Sequence, residues 1–216
     1  MNHNFSAPMQ KMNFRFLSFL FVFCLFNTLS IQSHAQATAA ASGIELKQGL
    51  HLVYDITQGE KTYQYIVDFN SVTEKGLVFN WKMTEPVNKS GTITITEKAF
   101  TNATDLDFYP ATKKFDGDEI SMIFGKTLFQ KFAKYKEGDT ISFGCNSCFR
   151  GVTVADVKAN DYEAQNATGG LATLKTVKFS SIYHNGDFEV LNNEQFPLII
   201  YFKWNMTIEL KSFKYE

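Results

Sequence analysis

Hydrophobic and polar residues alternate along the chain from about residue 50 onward. The apolar members of two such runs are Tyr63, Tyr65, Val67 and Phe69, and then Leu77, Phe79, Trp81 and Met83. A period of two is typical of antiparallel strands that bury one face and leave the other in water. Leu50–Thr57 and Thr92–Thr96 have the same character, so this part of the chain predicts a meander of four strands.

The pattern changes in the middle of the chain. Pro110, Gly117 and several aspartates predict a loop over residues 102–118. The apolar residues that follow have helical spacing, and they are Ile120, Ile123, Phe124, Leu128 and Phe132. Asp118 and Glu119 would suit the N-terminal end of this helix. Gly125 would lie inside it at a cost of about 1 kcal/mol, so one helix with a weak point and two short helices are both open.

Strand patterns return at Thr140 and continue to the end of the chain. Ile141 and Phe143 precede a C-x-x-C sequence, and later strands are predicted at Leu171–Ile182 and Asp187–Leu191, the latter after an Asn185-Gly186 turn. Pro197–Phe213 is apolar, with Asn205 as a kink between two halves. The chain therefore predicts a mainly β (α+β) fold with about nine or ten strands and one helix.

The N-terminus has the three parts of a secretory signal peptide. Lys11 and Arg15 precede an apolar run over residues 16–26, and small residues follow up to Ala37. The run is shorter than the roughly 20 residues that span a bilayer. We expect cleavage after Ala35, with Ala37 as the alternative, and translation could start at Met1 or Met12. Cys24 lies inside the apolar run, which does not fit a lipoprotein signal.

Removal of residues 1–35 leaves a small-residue spacer, residues 36–42, which is expected to be disordered, and a single domain over residues 43–216. The leader carries two basic residues and no acidic one, so the net charge falls from −1 to −3. This balance argues against nucleic acid and anionic membranes as partners. No membrane span is expected after cleavage.

The only two cysteines outside the leader are Cys145 and Cys148. In a thioredoxin-like site such a pair opens a helix, which lowers the thiol pKa, whereas here a turn and a strand are predicted to follow. A zinc site would need two more ligands, and only His51 and His184 remain as histidines of the mature chain. A disulfide between Cys145 and Cys148 is the favoured interpretation in an oxidising compartment, with zinc and redox chemistry as alternatives.

Other catalytic patterns are weak. The sequence has no G-x-S-x-G, H-E-x-x-H or P-loop motif, and His184 is predicted to be exposed beside a hairpin turn. A cluster of carboxylates could be a calcium site or a solvated loop, and its members are Asp105, Asp107, Asp116, Asp118 and Glu119. No catalytic residue, metal or cofactor is predicted, and enzymatic activity is not expected.

Several segments resemble uncharacterised exported β-rich proteins of Gram-negative bacteria. These are the Ser-His-Ala-Gln end of the leader and the segments 120–126, 189–193, 196–200 and 208–211. The group is similar in outline to periplasmic lipoprotein carriers. This resemblance implies a single curved antiparallel sheet, or open half-barrel, packed on one helix, in a periplasmic or secreted protein.

Two functions are consistent with these features. The first is a carrier or binding module that holds an apolar or lipid-like ligand between sheet and helix, lined by Tyr63, Tyr65, Phe79, Trp81 and Phe124. The same aromatics could instead fill the core. The second is a structural or protein-interaction component of the bacterial envelope. The identity of the ligand or partner and the oligomeric state do not follow from the sequence.

Overall fold

The computed structural model describes residues 43–108, 111–145, 152–182 and 186–216, all within one compact unit over residues 40–216. These residues form thirteen strands and two helices. The strands are β1 Leu50–Gln58, β2 Lys61–Thr73, β3 Gly76–Met83, β4 Ser90–Thr96, β5 Asp105–Leu106, β6 Lys113–Phe115, β7 Glu119–Ile120, β8 Ile141–Cys145, β9 Val152–Gln165, β10 Leu171–Ser181, β11 Asp187–Leu191, β12 Ile199–Lys203 and β13 Thr207–Tyr215. The helices are α1 Glu97–Asn102 and α2 Lys126–Ala133.

Strands β1 to β4 form the predicted antiparallel meander. Their alternation sets the register, so that Leu52 lies opposite Val67 and Phe69 opposite Phe79 on one face. That face is buried, and the polar residues between these positions lie on the outer face. Because a slip of one residue would expose every apolar side chain, the pattern fixes the register strongly.

Strand β13 joins the two halves of a large curved sheet by pairing with β1. The strand order is β6-β4-β3-β2-β1-β13-β12-β11-β10-β9-β8-β5-β7, and most neighbours are antiparallel. The predicted kink near Asn205 is the turn between β12 and β13. The mainly β fold with a large curved sheet is therefore confirmed.

The segment predicted to be a loop, residues 102–118, contains two short strands, β5 and β6, and β7 follows directly after it. β6 pairs in parallel with β4 at one end of the sheet, and β7 pairs in parallel with β5 at the other end. Only residues 116–118 separate β6 from β7. The Lys113 ammonium contacts both Asp107 Oδ2, at 3.0 Å, and Glu119 Oε2, at 2.5 Å. It thereby links β6, at one end of the sheet, to β7 and the residue after β5, at the other end.

The predicted helix starting near Asp118 begins eight residues later. Ile120 lies in β7, Ile123 forms a bridge with Leu198, and α2 starts at Lys126 with Gly125 as its N-cap. A Cβ atom at position 125 would overlap the carbonyl oxygen of Ala103, so close packing explains the glycine. Helix α1, capped by the Thr96 hydroxyl, was not predicted, because six residues are too few to show a helical period.

Strands β9 and β10 form a hairpin that is longer than its neighbours. β8 covers only Val152–Val154 of β9, and the remainder extends toward β13, where Gln165 pairs with Ser212. Leu174 and Ala164 in this distal part are buried. Tyr162 donates a hydrogen bond to the carbonyl oxygen of Leu210, at 2.9 Å, and thereby attaches the hairpin to β13.

Candidate functional site

The predicted ligand-lining aromatics lie on the inner face of the sheet and beside α2. Tyr65, Phe79, Trp81 and Phe124 are at most 3% exposed, and Tyr63 is half-buried. The rings of Tyr65 and Trp81 are 5.6 Å apart, and the Trp81 indole donates a hydrogen bond to the carbonyl oxygen of Ala111. The structure thus brings Tyr65 and Trp81 into contact.

Phenylalanines of α2, of the segment before it and of the strands contact one another. Phe132 stacks on Phe179 of β10 with centroids 4.4 Å apart, while Phe124 contacts Phe132 and Phe143 at 5.6 Å and 5.3 Å. Such contacts are typical of a packed core. An apolar ligand between α2 and the sheet would therefore have to displace side chains that now touch one another.

Cys145 is the last residue of β8 and is buried at 3% exposure. A strand therefore leads into the C-x-x-C sequence, as predicted, while the predicted turn that follows lies outside the described residues. Cys148 and His184 lie outside the described residues, so the disulfide stays a prediction. Within the described ranges, no three His, Cys, Asp or Glu residues are grouped so that they could hold a metal ion.

The carboxylates of the middle segment take part in structural contacts. Asp107 and Glu119 bind Lys113, and Asp116 accepts a hydrogen bond from Thr96 at 3.1 Å. Asp105 packs against Gly144 of β8, where a Cβ atom would overlap its carboxylate. The prediction that Asp118 and Glu119 begin the helix is wrong, because both precede α2 and Glu119 lies in β7.

A polar row crosses the outer face of the sheet. One residue from each of five neighbouring strands contributes, and cross-strand pairing places them side by side. In order from β13 to β4 they are Lys214, His51, Asp68, Asn80 and Thr92. Four strand spacings make this row about 19 Å long. We call this set the outer row.

The centre of the outer row is a histidine–aspartate pair. His51 Nδ1 and Asp68 Oδ1 are 2.5 Å apart, and the His51 side chain is 18% exposed. A carboxylate on one ring nitrogen fixes the imidazole orientation and leaves the other nitrogen to meet a ligand. No hydrogen bond to His51 Nε2 is found among the described residues.

Two adjoining clefts follow the outer row. One, of about 280 Å³, is lined by His51 and Asn70, and the other, of about 410 Å³, by Ser90 and Thr92, while Asp68 and Lys82 line both. Lys214 binds Glu216 at 2.5 Å, and this hydrogen bond lowers the pKa of Glu216, which lines the first cleft. The clefts thus present amide, hydroxyl, imidazole and charged groups.

A second polar cluster is buried under the distal β9–β10 hairpin. Glu189 Oε1 accepts hydrogen bonds from Thr176 Oγ1, at 2.5 Å, and from Asn160 Nδ2, at 2.8 Å. Tyr162 shares its one hydroxyl hydrogen between the carbonyl oxygen of Leu210, at 2.9 Å, and Glu209 Oε1, at 3.3 Å. Burial, the Glu209 charge and the hydrogen bond to Glu209 raise the pKa of Tyr162, so its hydroxyl stays protonated above the pH at which a free tyrosine ionises. The cluster holds the hairpin to the sheet.

Sequence patterns did not single out Asp68, Glu189 or their partners. Alternation placed His51 and Asp68 on outward positions of two successive strands. Their contact depends on the pairing register, which a hairpin of known turn length could have supplied. No sequence pattern predicts that Glu189 is buried, because its partners Asn160 and Thr176 come from the β9–β10 hairpin, earlier in the chain.

Comparison of the chain with protein-family models, curated proteins and solved structures finds no match in any of the three. In the part of the chain that the structure describes, no helix has both the length and the apolar character needed to cross a membrane.

Proposed function

We propose that this is an exported, non-enzymatic binding module that recognises a hydrophilic ligand or partner through the outer row. The observation that carries the proposal is the His51–Asp68 pair in the middle of the outer row, where His51 Nδ1 and Asp68 Oδ1 are 2.5 Å apart and line one of the two clefts. Binding sites built on strands hold their polar groups in fixed geometry, which lowers the cost of ordering on binding.

The groups available in the groove define the ligand chemistry. Asn80 Oδ1 accepts from Thr92 Oγ1 at 2.8 Å, which leaves the amide hydrogens of Asn80 to donate. Lys82 adds a cation that takes part in no ion pair within the described ranges. Donors and acceptors in close alternation suit a polyhydroxylated or peptide-like ligand better than an apolar one.

A titration followed by amide NMR shifts would test the proposal. The probes would be a neutral oligosaccharide, an acidic oligosaccharide and a short peptide. We expect at least one of them to shift the residues around His51 and Asp68, and H51A and D68N to weaken its binding about tenfold. D161N is the matched control. Asp161 is also an exposed strand aspartate with a basic partner, Lys175, but it lies on β9 and not in the outer row. Shifts elsewhere only, or equal binding by D68N and D161N, would overturn the proposal.

An apolar carrier remains a second candidate, in which the sheet forms an open half-barrel packed on α2. This function requires the stacked contact of Phe132 with Phe179 to open, and a ligand that entered between the two rings would meet an aromatic surface. Native mass spectrometry after gentle extraction tests this function. A co-purifying lipid that is lost in F132A, but kept in the exposed-site control L171A, would support the carrier.

Export to the periplasm or the cell exterior, and a Cys145–Cys148 disulfide there, belong to the same proposal. The signal-peptide pattern of the first 35 residues supports export. Mass spectrometry of the mature N-terminus provides the test. An uncleaved chain, or a lipid attached to a cysteine, would contradict it.

A further inference from the structure

A separate cleft of about 560 Å³ lies where the segment after α2 meets the β9–β10 hairpin. Its lining includes Tyr135 and Glu137 from that segment, Asp156 and Lys158 from β9, and Lys178 from β10. It shares no lining residue with the two clefts of the outer row. We call it the hairpin cleft.

The backbone at this cleft has an irregular geometry. Asp156 and Val157 lie opposite the single residue Phe179, which makes a β-bulge, and Asp156 has φ of +55°. Aspartate adopts a left-handed conformation more readily than most residues other than glycine, and bulges often re-aim side chains at functional sites. The Asp156 N–H donates to Tyr135 Oη at 3.0 Å, so the tyrosine retains its own hydrogen for donation.

The hairpin cleft collects charges that are not paired with one another. Lys158 and Lys178 lie directly opposite across the two strands, where like charges repel. Neither these lysines nor Glu137 and Asp156 take part in an ion pair within the described residues. By contrast, Lys175 on β10 binds Asp161 opposite it at 2.9 Å.

From this arrangement we infer that the hairpin cleft binds a small zwitterionic compound. Lys158 and Lys178 take its phosphate or carboxylate group, Glu137 and Asp156 take its ammonium group, and the Tyr135 hydroxyl donates to the anionic end. Two cations and two anions around one cleft make it neutral, so a zwitterion satisfies both pairs, whereas a simple anion or cation would satisfy one and meet the other as a like charge.

Isothermal titration with O-phosphoethanolamine tests this inference. We expect saturable binding, and binding of inorganic phosphate or ethanolamine that is at least about fivefold weaker, the size of one exposed charge contact. The double variants K158Q/K178Q and E137Q/D156N should each reduce affinity at least about fivefold. The double variant K175Q/D161N, from the same hairpin, should bind like the parent protein. Asparagine at position 156 is chosen because it tolerates a positive φ.

Two further measurements show whether the variants are folded and whether the ligand is a lipid headgroup or a free zwitterion. Without ligand, K158Q should raise the unfolding midpoint, because it removes a like-charge repulsion, and this shows that the variant is folded. Flotation with phosphatidylethanolamine vesicles then separates a lipid headgroup, which would carry the protein upward, from a free zwitterion, which would not. The inference would be overturned if the parent protein showed no saturable phosphoethanolamine binding, or if K175Q/D161N lost as much affinity as the two cleft variants. Either result would leave the proposal for the outer row unchanged.

Discussion

Thr176 Oγ1 lies 2.5 Å from Glu189 Oε1, and neither side chain has appreciable contact with solvent: Thr176 is 0% exposed and Glu189 5%. A buried carboxylate needs such donors, because leaving it without them costs far more than the hydrogen bond contributes. The distal β9–β10 hairpin supplies two of these donors, Thr176 and Asn160.

The variant T176V should therefore destabilise the protein by about 1.5–3 kcal/mol, the range for hydrogen bonds to charged groups. Valine keeps the shape of threonine and removes the donor. Urea unfolding would measure the effect. T173V is the control, since Thr173 lies on the same strand and is exposed. Equal midpoints for the two variants would show that Glu189 does not depend on this donor.

Stability should fall in alkaline solution because of buried tyrosines. Burial raises the pKa of Tyr54, Tyr65 and Tyr162 above the ordinary value of 10.0. The unfolded chain then loses these protons first, so their contribution is intact below about pH 10 and is lost as the pH rises toward the folded pKa values. Urea midpoints measured from about pH 9 to about pH 11 should decline, and less steeply in Y162F. A pH-independent midpoint would contradict this.

Lys113 should stabilise the folded protein through its ion pairs with the carboxylates of Asp107 and Glu119. Burial alone would lower its pKa, but the hydrogen bonds to Glu119 and Asp107 raise it. Because the site is partly exposed, K113M should cost only about 1 kcal/mol. The neighbouring exposed Lys114, changed to methionine, should cost less. High salt should reduce the difference between the two variants, and a difference that salt leaves unchanged would argue for packing instead.

G125A should destabilise the protein by about 1–3 kcal/mol through overlap with Ala103. Gly117 is the matched control, because no atom lies within 4 Å of the position that its Cβ would take. Thermal unfolding of G125A and G117A would compare them. A midpoint for G125A at or above that of G117A would show that the start of α2 can shift to accommodate a methyl group.

Cys145 and Cys148 should be joined in protein taken from an oxidising compartment. A thiol titration in denaturant should then detect no free thiol in the mature chain, and two after reduction. The loop is so short that C145A/C148A should cost at most about 2 kcal/mol from loss of the cross-link. Two free thiols before reduction would contradict the disulfide and return attention to metal or redox roles.

Local pattern predicted most of the long strands, because each carries its own alternation. The predicted first strand at residues 50–57 matches β1, and the predicted kink at Asn205 matches the turn between β12 and β13. The short strands β5, β6 and β7 could not be predicted in this way. Each has only two or three residues and pairs in parallel with a distant partner.

Helical spacing was misleading at residues 120–124 for a related reason. Ile120 and Phe124 are buried by different neighbours, one in a strand and one in a connecting segment, and their spacing matches a helix by coincidence. The outer row and the hairpin cleft depend on strand register and on a bulge. These are tertiary properties that the sequence of a single strand does not carry.

The extension of β9 past β8 leaves one side of its backbone, over residues 155–164, without a strand partner among the residues that the structure describes. A bare edge of this length is a template on which another chain could add a strand. Charged side chains lie along it at Asp156, Lys158, Asp161 and Glu163, and the bulge twists it. Asp156 and Lys158, which also charge the hairpin cleft, thus help to protect the protein from edge-to-edge aggregation.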